Sequence, residues 1–383
     1  MNSIAIVTVG YNRPDSMKLL IRSLLDADYL EQSVDLIVSI DKGARQDEII
    51  AVAEQTTWPF GKRHIRAFSE RQGLRKHIIQ CGDLTQTYDA VIVLEDDLLV
   101  SRFFFSYVKQ ALDYYRENEK IAGISLYKHE THPGVLRPFE PANNGYDVFW
   151  MQYAMSWGQC WTKKMWGQFK EWYLKNETAD LWSDNALPAY IQKWNKQSWL
   201  KYYMKYIVET NKYFVYPYFS LTTNSSDMGE HCRIPNNDFQ VALSEGDRRY
   251  FFPEDNNVIK YDVFFERIDI ENLIMPTLSG TKVLDLYGIR KDFHGARYAI
   301  STQRLPYKII KQLQLKYRPI EMNCIMPKEG NGIFVYDLTT IDKCPPKNTN
   351  LLTRYDVRGI NWRKLLKLGF GEFIDALFRK IGK

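Results

Sequence analysis

Glu95, Asp96 and Asp97 stand directly after an apolar run, Ala90-Val-Ile-Val-Leu94, and are followed at once by Leu98-Leu-Val100. The run is almost entirely β-branched residues and leucine, which predicts a strand buried on both faces. Three adjacent carboxylates repel one another, and removing them from water is costly unless a cation neutralises them. Oxygen donors of this kind suit a hard divalent ion, Mn2+ or Mg2+, above all one shared with substrate phosphates. A solvated acidic turn at a strand end would satisfy the same residues. The choice between the two depends on what the rest of the chain brings to the triplet.

The elements that must position it alternate between strand and helix patterns. Ile4–Val9 reads as a strand and ends in the turn-rich Gly10-Tyr11-Asn12-Arg13-Pro14. Asp15 or Ser16 is expected to cap a helix reaching about Leu25, with Met17, Leu20, Ile21, Leu24 and Leu25 as its apolar stripe. Val34–Ile40 reads as a second strand ending in Asp41. Gln46–Gln55 reads as a helix, His64–Phe68 as a short strand, Leu74–Cys81 as a helix, and Phe104–Arg116 as a helix after the acidic strand. Such alternation predicts an α/β fold with a mostly parallel sheet covered on both faces. Ligands of these sheets bind beyond the carboxyl ends of the strands. Asn12-Arg13, Asp41 and Glu95–Asp97 all follow strands, so all three groups are expected at one crevice, which a solvated turn would not require. No G-x-G-x-x-G or Walker pattern is present, which removes support for dinucleotide binding and P-loop chemistry.

A chain of 383 residues exceeds one ordinary core. We divide it into a catalytic domain over 1–240, an accessory α+β region over 241–358 and a tail over 359–383. Hydrophobic content of 45% and charged content of 25% are globular values. The net charge of +5 is modest for this length, and no nucleic-acid-binding signature is present. Five widely spaced cysteines without a C-x-x-C pair fit reduced thiols in a cytoplasm better than a disulfide framework. The N-terminus lacks the basic start of a signal peptide, and no apolar run approaches the roughly 20 residues that span a bilayer. A cytoplasmic protein is expected, soluble or held peripherally on the inner face of the membrane. The second option comes from the tail. Trp362, Leu365, Leu366, Phe370, Phe373, Ile374, Leu377, Phe378 and Ile381 keep a helical stripe, while basic residues outnumber Glu372 and Asp375. A basic amphipathic helix can lie in an anionic membrane surface, and it can equally dock on its own domain.

Taken together, residues 4 to 232 resemble nucleotide-sugar glycosyltransferases of the GT-A fold, with similarity to the family 2 enzymes and the N-acetylglucosaminyltransferase I group. Val91-Ile-Val-Leu-Glu95-Asp96-Asp97-Leu98 resembles their acidic motif, whose last aspartate holds a divalent metal bound to the sugar diphosphate. The resemblance therefore implies Asp97 as metal ligand, with Glu95 and Asp96 beside the donor. Thr8-Val-Gly-Tyr11-Asn12-Arg13-Pro14 resembles the opening loop that contacts the nucleotide. Asp41 matches the aspartate that meets uracil or ribose, and Arg71-Gln72-Gly73-Leu74-Arg75 resembles the glycine-containing segment before the acidic strand. Ser156-Trp157-Gly158 resembles a segment facing donor sugar and acceptor, and Gly229-Glu230-His231 a late histidine that supplies a further metal ligand. One element departs from the pattern: an aspartate commonly follows a tryptophan before that histidine, and Gln197-Ser198-Trp199-Leu200 carries leucine there. Asp184, Glu209 and Asp227 are the remaining candidates for the base that an inverting transfer requires.

The expected activity is metal-dependent transfer of a hexosyl or N-acetylhexosaminyl group from a UDP-sugar to a glycan or lipid-linked saccharide. The expected setting is surface polysaccharide synthesis, as in a capsule or O-antigen. Two alternatives stand beside it. A nucleotidyltransferase would share the fold class and a metal-binding aspartate, although Gly10-Tyr-Asn-Arg-Pro14 makes a poor phosphate loop. A non-catalytic glycan-binding protein would explain the absent aspartate.

Overall fold

The computed structural model describes residues 3–181, 185–225, 237–268, 270, 273–293, 295–345, 351–357 and 361–381. They belong to two compact units, one comprising Met1–Asn272 with Ile289–Phe293 and the other Leu273–Gly288 with His294–Lys383. The first unit therefore continues past residue 240, where the sequence placed a boundary.

The first unit begins as the sequence pattern requires. Strand β1 (Ile4–Gly10) is buried at every position, because both faces of a parallel sheet are covered. Helix α1 (Pro14–Leu25) buries Met17, Leu20, Ile21 and Leu24. It starts two or three residues earlier than expected: Pro14, with its fixed φ and missing N–H, opens the helix after the cap residue Arg13, and Asp15 and Ser16 lie inside it. The elements that follow are β2 (Val34–Ile40), α2 (Gln46–Gln55), β3 (Arg63–Ala67), α3 (Leu74–Gly82), β4 (Ala90–Glu95), β5 (Leu98–Val100), α4 (Phe104–Tyr115) and β6 (Ile121–Ser125). Strands β3, β2, β1 and β4 lie side by side and parallel. Strand Gln159–Thr162 continues the sheet antiparallel to both β4 and β6, so β6 runs in the same direction as β4. Tyr213–Pro217, Val148–Met151 and Lys260–Tyr261 complete nine strands.

Helix α3 is fastened under β2 by a buried polar cluster. Arg66 donates to the Ser39 hydroxyl from Nε (3.1 Å) and Nη2 (2.9 Å), and Ser39 Oγ lies 2.6 Å from His77 Nε2. Arginine has only donors, so the Ser39 proton must point at a bare His77 nitrogen. Burial, only partly opposed by Asp41, lowers the His77 pKa to about 4, in keeping with that neutral ring. Helix α5 (Lys163–Asn176) and helix Trp199–Glu209 share an aromatic seam. Phe169 stacks on Tyr203 at 4.0 Å, and Trp161 on Tyr203 at 5.8 Å.

The second unit contains a four-stranded sheet ordered Lys282–Asp285, Tyr298–Ser301, Ile333–Ile341, Tyr307–Leu313. Asp285 is buried and accepts from Ser301 Oγ and Gln303 Nε2, both at 2.7 Å. The unit also holds the C-terminal helix Trp362–Ile381. No disulfide links the described cysteines, and no helix of the described residues is long and apolar enough to cross a membrane.

Candidate active site

The chain does not leave the sheet when β4 ends. The backbone N–H of Asp96 donates to Val9 O at 3.0 Å, which holds the acidic residues against the end of β1. There they meet Arg13. Its Nη1 donates to Asp97 Oδ2 at 2.9 Å and its Nη2 to Asp96 Oδ1, so one guanidinium spans both carboxylates. Burial disfavours the Arg13 charge, but Asp96 and Asp97 outweigh it and hold the guanidinium above the ordinary arginine range. Asp96 is almost fully buried and also accepts from the Tyr11 backbone. Burial still dominates and lifts its pKa to about 6. Glu95 is raised further, to about 8, by burial and then by Asp97 and Asp96. Asp97 keeps one buried oxygen, Oδ1, with no hydrogen-bond partner.

Asp41, at the end of β2, is buried and fully engaged with backbone. Its Oδ1 accepts from Lys42 N (2.8 Å) and Gln72 N (2.7 Å), and its Oδ2 from Gly73 N (2.9 Å). It therefore anchors the segment carrying Arg71 and Gly73. Gly73 adopts φ +76°, a left-handed conformation that side chains other than glycine's seldom accept. Arg71 lies over the Tyr11 ring with its guanidinium carbon 4.9 Å from the centroid. Asn12 Oδ1 accepts from Arg45 N at 3.1 Å, and a Cβ on Gly43 would come within 2.3 Å of that oxygen. The structure thus brings Tyr11, Asn12, Arg13, Asp41, Arg71, Gly73, Glu95, Asp96 and Asp97 to the ends of β1, β2, β3 and β4.

The stretch without the expected aspartate lies beside this loop. A Cβ on Gly73 would stand 3.9 Å from Gln197 Oε1, and Arg75 packs over the Tyr202 ring at 5.0 Å. Trp199 is buried, so among residues 197–200 no carboxylate is offered at this position. Glu209 does not replace it, and the expectation that it faces the site fails. It sits at the other end of helix Trp199–Glu209, half-exposed and 3.6 Å from Lys205 Nζ. The chain then enters the sheet at Tyr213, whose N–H donates to Lys120 O just before β6 begins. That is where the parallel strands begin, at the opposite ends from Asp97. The period of a helix shows which face is buried, but not which end approaches the site. Asp184, Asp227 and His231 lie outside the described residues.

Ser156-Trp157-Gly158 joins the group through strand Thr222–Asn224. Thr222 Oγ1 donates to Trp157 O at 2.6 Å, and its strand pairs with β5, immediately after the acidic triplet. Ser225 N then donates to Asp97 O at 2.7 Å. Sequence reasoning missed the neighbour of this loop, His129. It lies beyond the end of β6 in a ring of aromatic side chains from Tyr127, Tyr153, Tyr216 and Phe265, with neither ring nitrogen bonded. Burial lowers its pKa to about 3. Only its position four residues after a strand could have pointed to it.

Among the described residues no group of three His, Cys, Asp or Glu side chains could hold a metal by itself. An ion held by one carboxylate and substrate oxygens needs no such group. The unpartnered Asp97 oxygen and the all-oxygen donor chemistry fit that arrangement.

No protein-family model and no curated protein sequence matches the chain. Solved structures with a partial likeness include the mannosyltransferase PcManGT of Pyrobaculum calidifontis, in complex with GDP-Man and Mn2+. It is 12% identical over 44% of this chain and 46% of its own, with a TM-score of 0.32. TarS residues 1–349 from S. aureus, in complex with UDP-GlcNAc, are 10% identical over 60% of each chain, with a TM-score of 0.36. Longer TarS is 11% identical over 56% of this chain and 35% of its own, with a TM-score of 0.33. Likeness this slight carries no argument about activity.

Proposed function

We propose that the first unit is a metal-assisted glycosyltransferase of the GT-A type that moves a sugar from a UDP-sugar to a glycan or lipid-linked saccharide. The observation that carries this reading is the Asp96–Asp97 pair, held at the end of a buried strand by Arg13, with one buried Asp97 oxygen left over. Structural acidic turns do not require a half-buried arginine bridging two carboxylates and an orphaned oxygen, because water serves them.

Asp97 would hold Mn2+ or Mg2+ through that oxygen. Bound there, the ion would neutralise charge growing on the departing diphosphate. An ion sharing Asp97 would leave Arg13, which bridges Asp96 and Asp97, freer to pair with phosphate oxygens. At an effective dielectric of about 20, a charge pair at about 4 Å contributes roughly 4 kcal/mol, near three decades of rate. Tyr11 and Arg71 form a stacked rim suited to a base and its ribose. Asp41 fixes the Arg71–Gly73 segment through its backbone, a role that comes before any contact with the nucleotide. Inversion needs a base on the acceptor side, and Asp184 and Asp227 are its candidates. Surface-polysaccharide synthesis on the inner face of the membrane is the setting that a lipid-linked acceptor would imply.

The test is release of UDP from a panel of UDP-sugars with Mn2+ and with EDTA, in the native protein and in Asp97→Asn. Metal-dependent release lost in the variant supports the reading. Pyrophosphate release from nucleoside triphosphates would replace it with a nucleotidyltransferase, and glycan binding without nucleotide affinity with a binding protein.

A further inference from the structure

The C-terminal helix Trp362–Ile381 differs from the other long helices among the described residues in what it exposes. Helices α1, α4 and Trp199–Glu209 each bury an apolar face. Residues 361–373 are exposed at every position. Trp362, Leu366, Phe370, Phe373 and Leu377, spaced by four, four, three and four residues, form one stripe along the helix. Trp362 is 65% and Phe370 67% exposed, and Leu365 and Phe378 flank the stripe. Nothing stands within 4 Å of where a Cβ would be on Gly369 or Gly371. Apolar groups gathered this densely on a surface mark a binding face.

The helix is also intrinsically weak. Its start is capped by Asn361, whose Oδ1 accepts from Lys364 N at 3.1 Å. Its middle, however, carries two glycines, each about 1 kcal/mol poorer than alanine, and most helix stability comes from a packed face. A partner that covers the stripe would therefore stabilise the helix as well as bury the side chains.

Charge selects the partner. The helix carries Arg363, Lys364, Lys367, Arg379 and Lys380 against Glu372 and Asp375. Arg363 and Lys367 adjoin the apolar stripe, where long cationic stems can reach headgroups while the rings enter the acyl boundary. A second copy of this helix would bring the same cationic excess against itself. We propose that Trp362–Ile381 is a membrane-surface helix whose partner is an anionic lipid bilayer. The proposal is independent of the donor site, and a protein without glycosyltransferase activity would bind in the same way.

Flotation of the full-length chain with vesicles of phosphatidylcholine, alone or mixed with phosphatidylglycerol, tests it. Binding is expected to the anionic vesicles, at least tenfold weaker to the neutral ones, and reduced by salt. Phe370→Glu with Phe373→Glu should abolish it, and Lys364→Glu with Lys367→Glu should weaken it at least tenfold. Circular dichroism should show helix content rising with anionic vesicles in the native protein only. All four side chains are exposed, so unchanged thermal melts would show that the variants fold. Absence of flotation, binding undiminished by the phenylalanine variant, or a concentration-dependent dimer that the variant dissolves without any vesicle binding would each overturn the proposal.

Discussion

The ends of β4 and β6 point the same way and have opposite chemistry. Beyond β4 and its neighbours β1 and β2 the side chains are charged and partnered: Arg13 on Asp96 and Asp97, Asp41 on the backbone of Gln72 and Gly73. Beyond β6 they are aromatic and closed. Tyr127, Trp157 and Phe265 ring a histidine that has no hydrogen bond. On the proposed reading, the charged region exchanges one counter-ion for another. The aromatic region is built to exclude water, and its histidine is neutral because burial leaves the charged form no solvation.

The largest effect should come from Asp97→Asn. It removes one charge while keeping the shape, so sugar-transfer turnover should fall by about three decades or more with an unchanged thermal melt. Arg13→Gln should separate the two functions of the charged end. Without its internal counter-ion the protein should bind Mn2+ more tightly in the absence of nucleotide, by about tenfold in a calorimetric titration, while turnover falls. Weaker Mn2+ binding would show that Arg13 supports the cation site and does not compete for it.

On the aromatic side, His129→Phe should stabilise the first unit by roughly 1–3 kcal/mol at neutral pH, because it removes buried polar atoms that bond nothing. The variant should also be less acid-sensitive. His129 titrates near 3 in the fold against 6.5 unperturbed, so the unfolded chain binds more protons between those values. Stability is full above pH 6.5 and is lost as pH falls toward 3. Thermal melts from pH 7 to pH 4 should therefore fall less steeply for the variant than for the native protein. Gly73→Ala should cost roughly 1–3 kcal/mol, because φ +76° with ψ 155° is a backbone conformation confined to glycine, and should raise the donor KM several-fold; the nearest atom at 3.9 Å leaves room for the methyl group itself. Glu209→Gln should leave turnover unchanged.

The two ends also differ in how far the sequence discloses them. β2 and α2 run over the residues that their patterns delimit, and β4 ends at the first carboxylate. The charged end could be read because its groups follow strands immediately and a parallel sheet brings strand ends together. The Arg13 bridge could not, since Arg13 looks like any residue of a polar turn until it meets Asp96, 83 positions later. The aromatic wall joins Tyr127 to Phe265, and Lys260–Tyr261 closes the sheet edge after more than a hundred intervening residues. Contacts at such separations leave no local period. Glu209 illustrates the same limit within one helix.

The measurement closest to the central claim is calorimetric titration of UDP into the native protein and into Asp97→Ala, each with Mn2+ and with EDTA. Binding is expected only in the native protein with Mn2+. Equal UDP binding by both proteins in EDTA would contradict the assignment of Asp97. Absence of UDP binding under every condition would contradict a donor site at the end of β4.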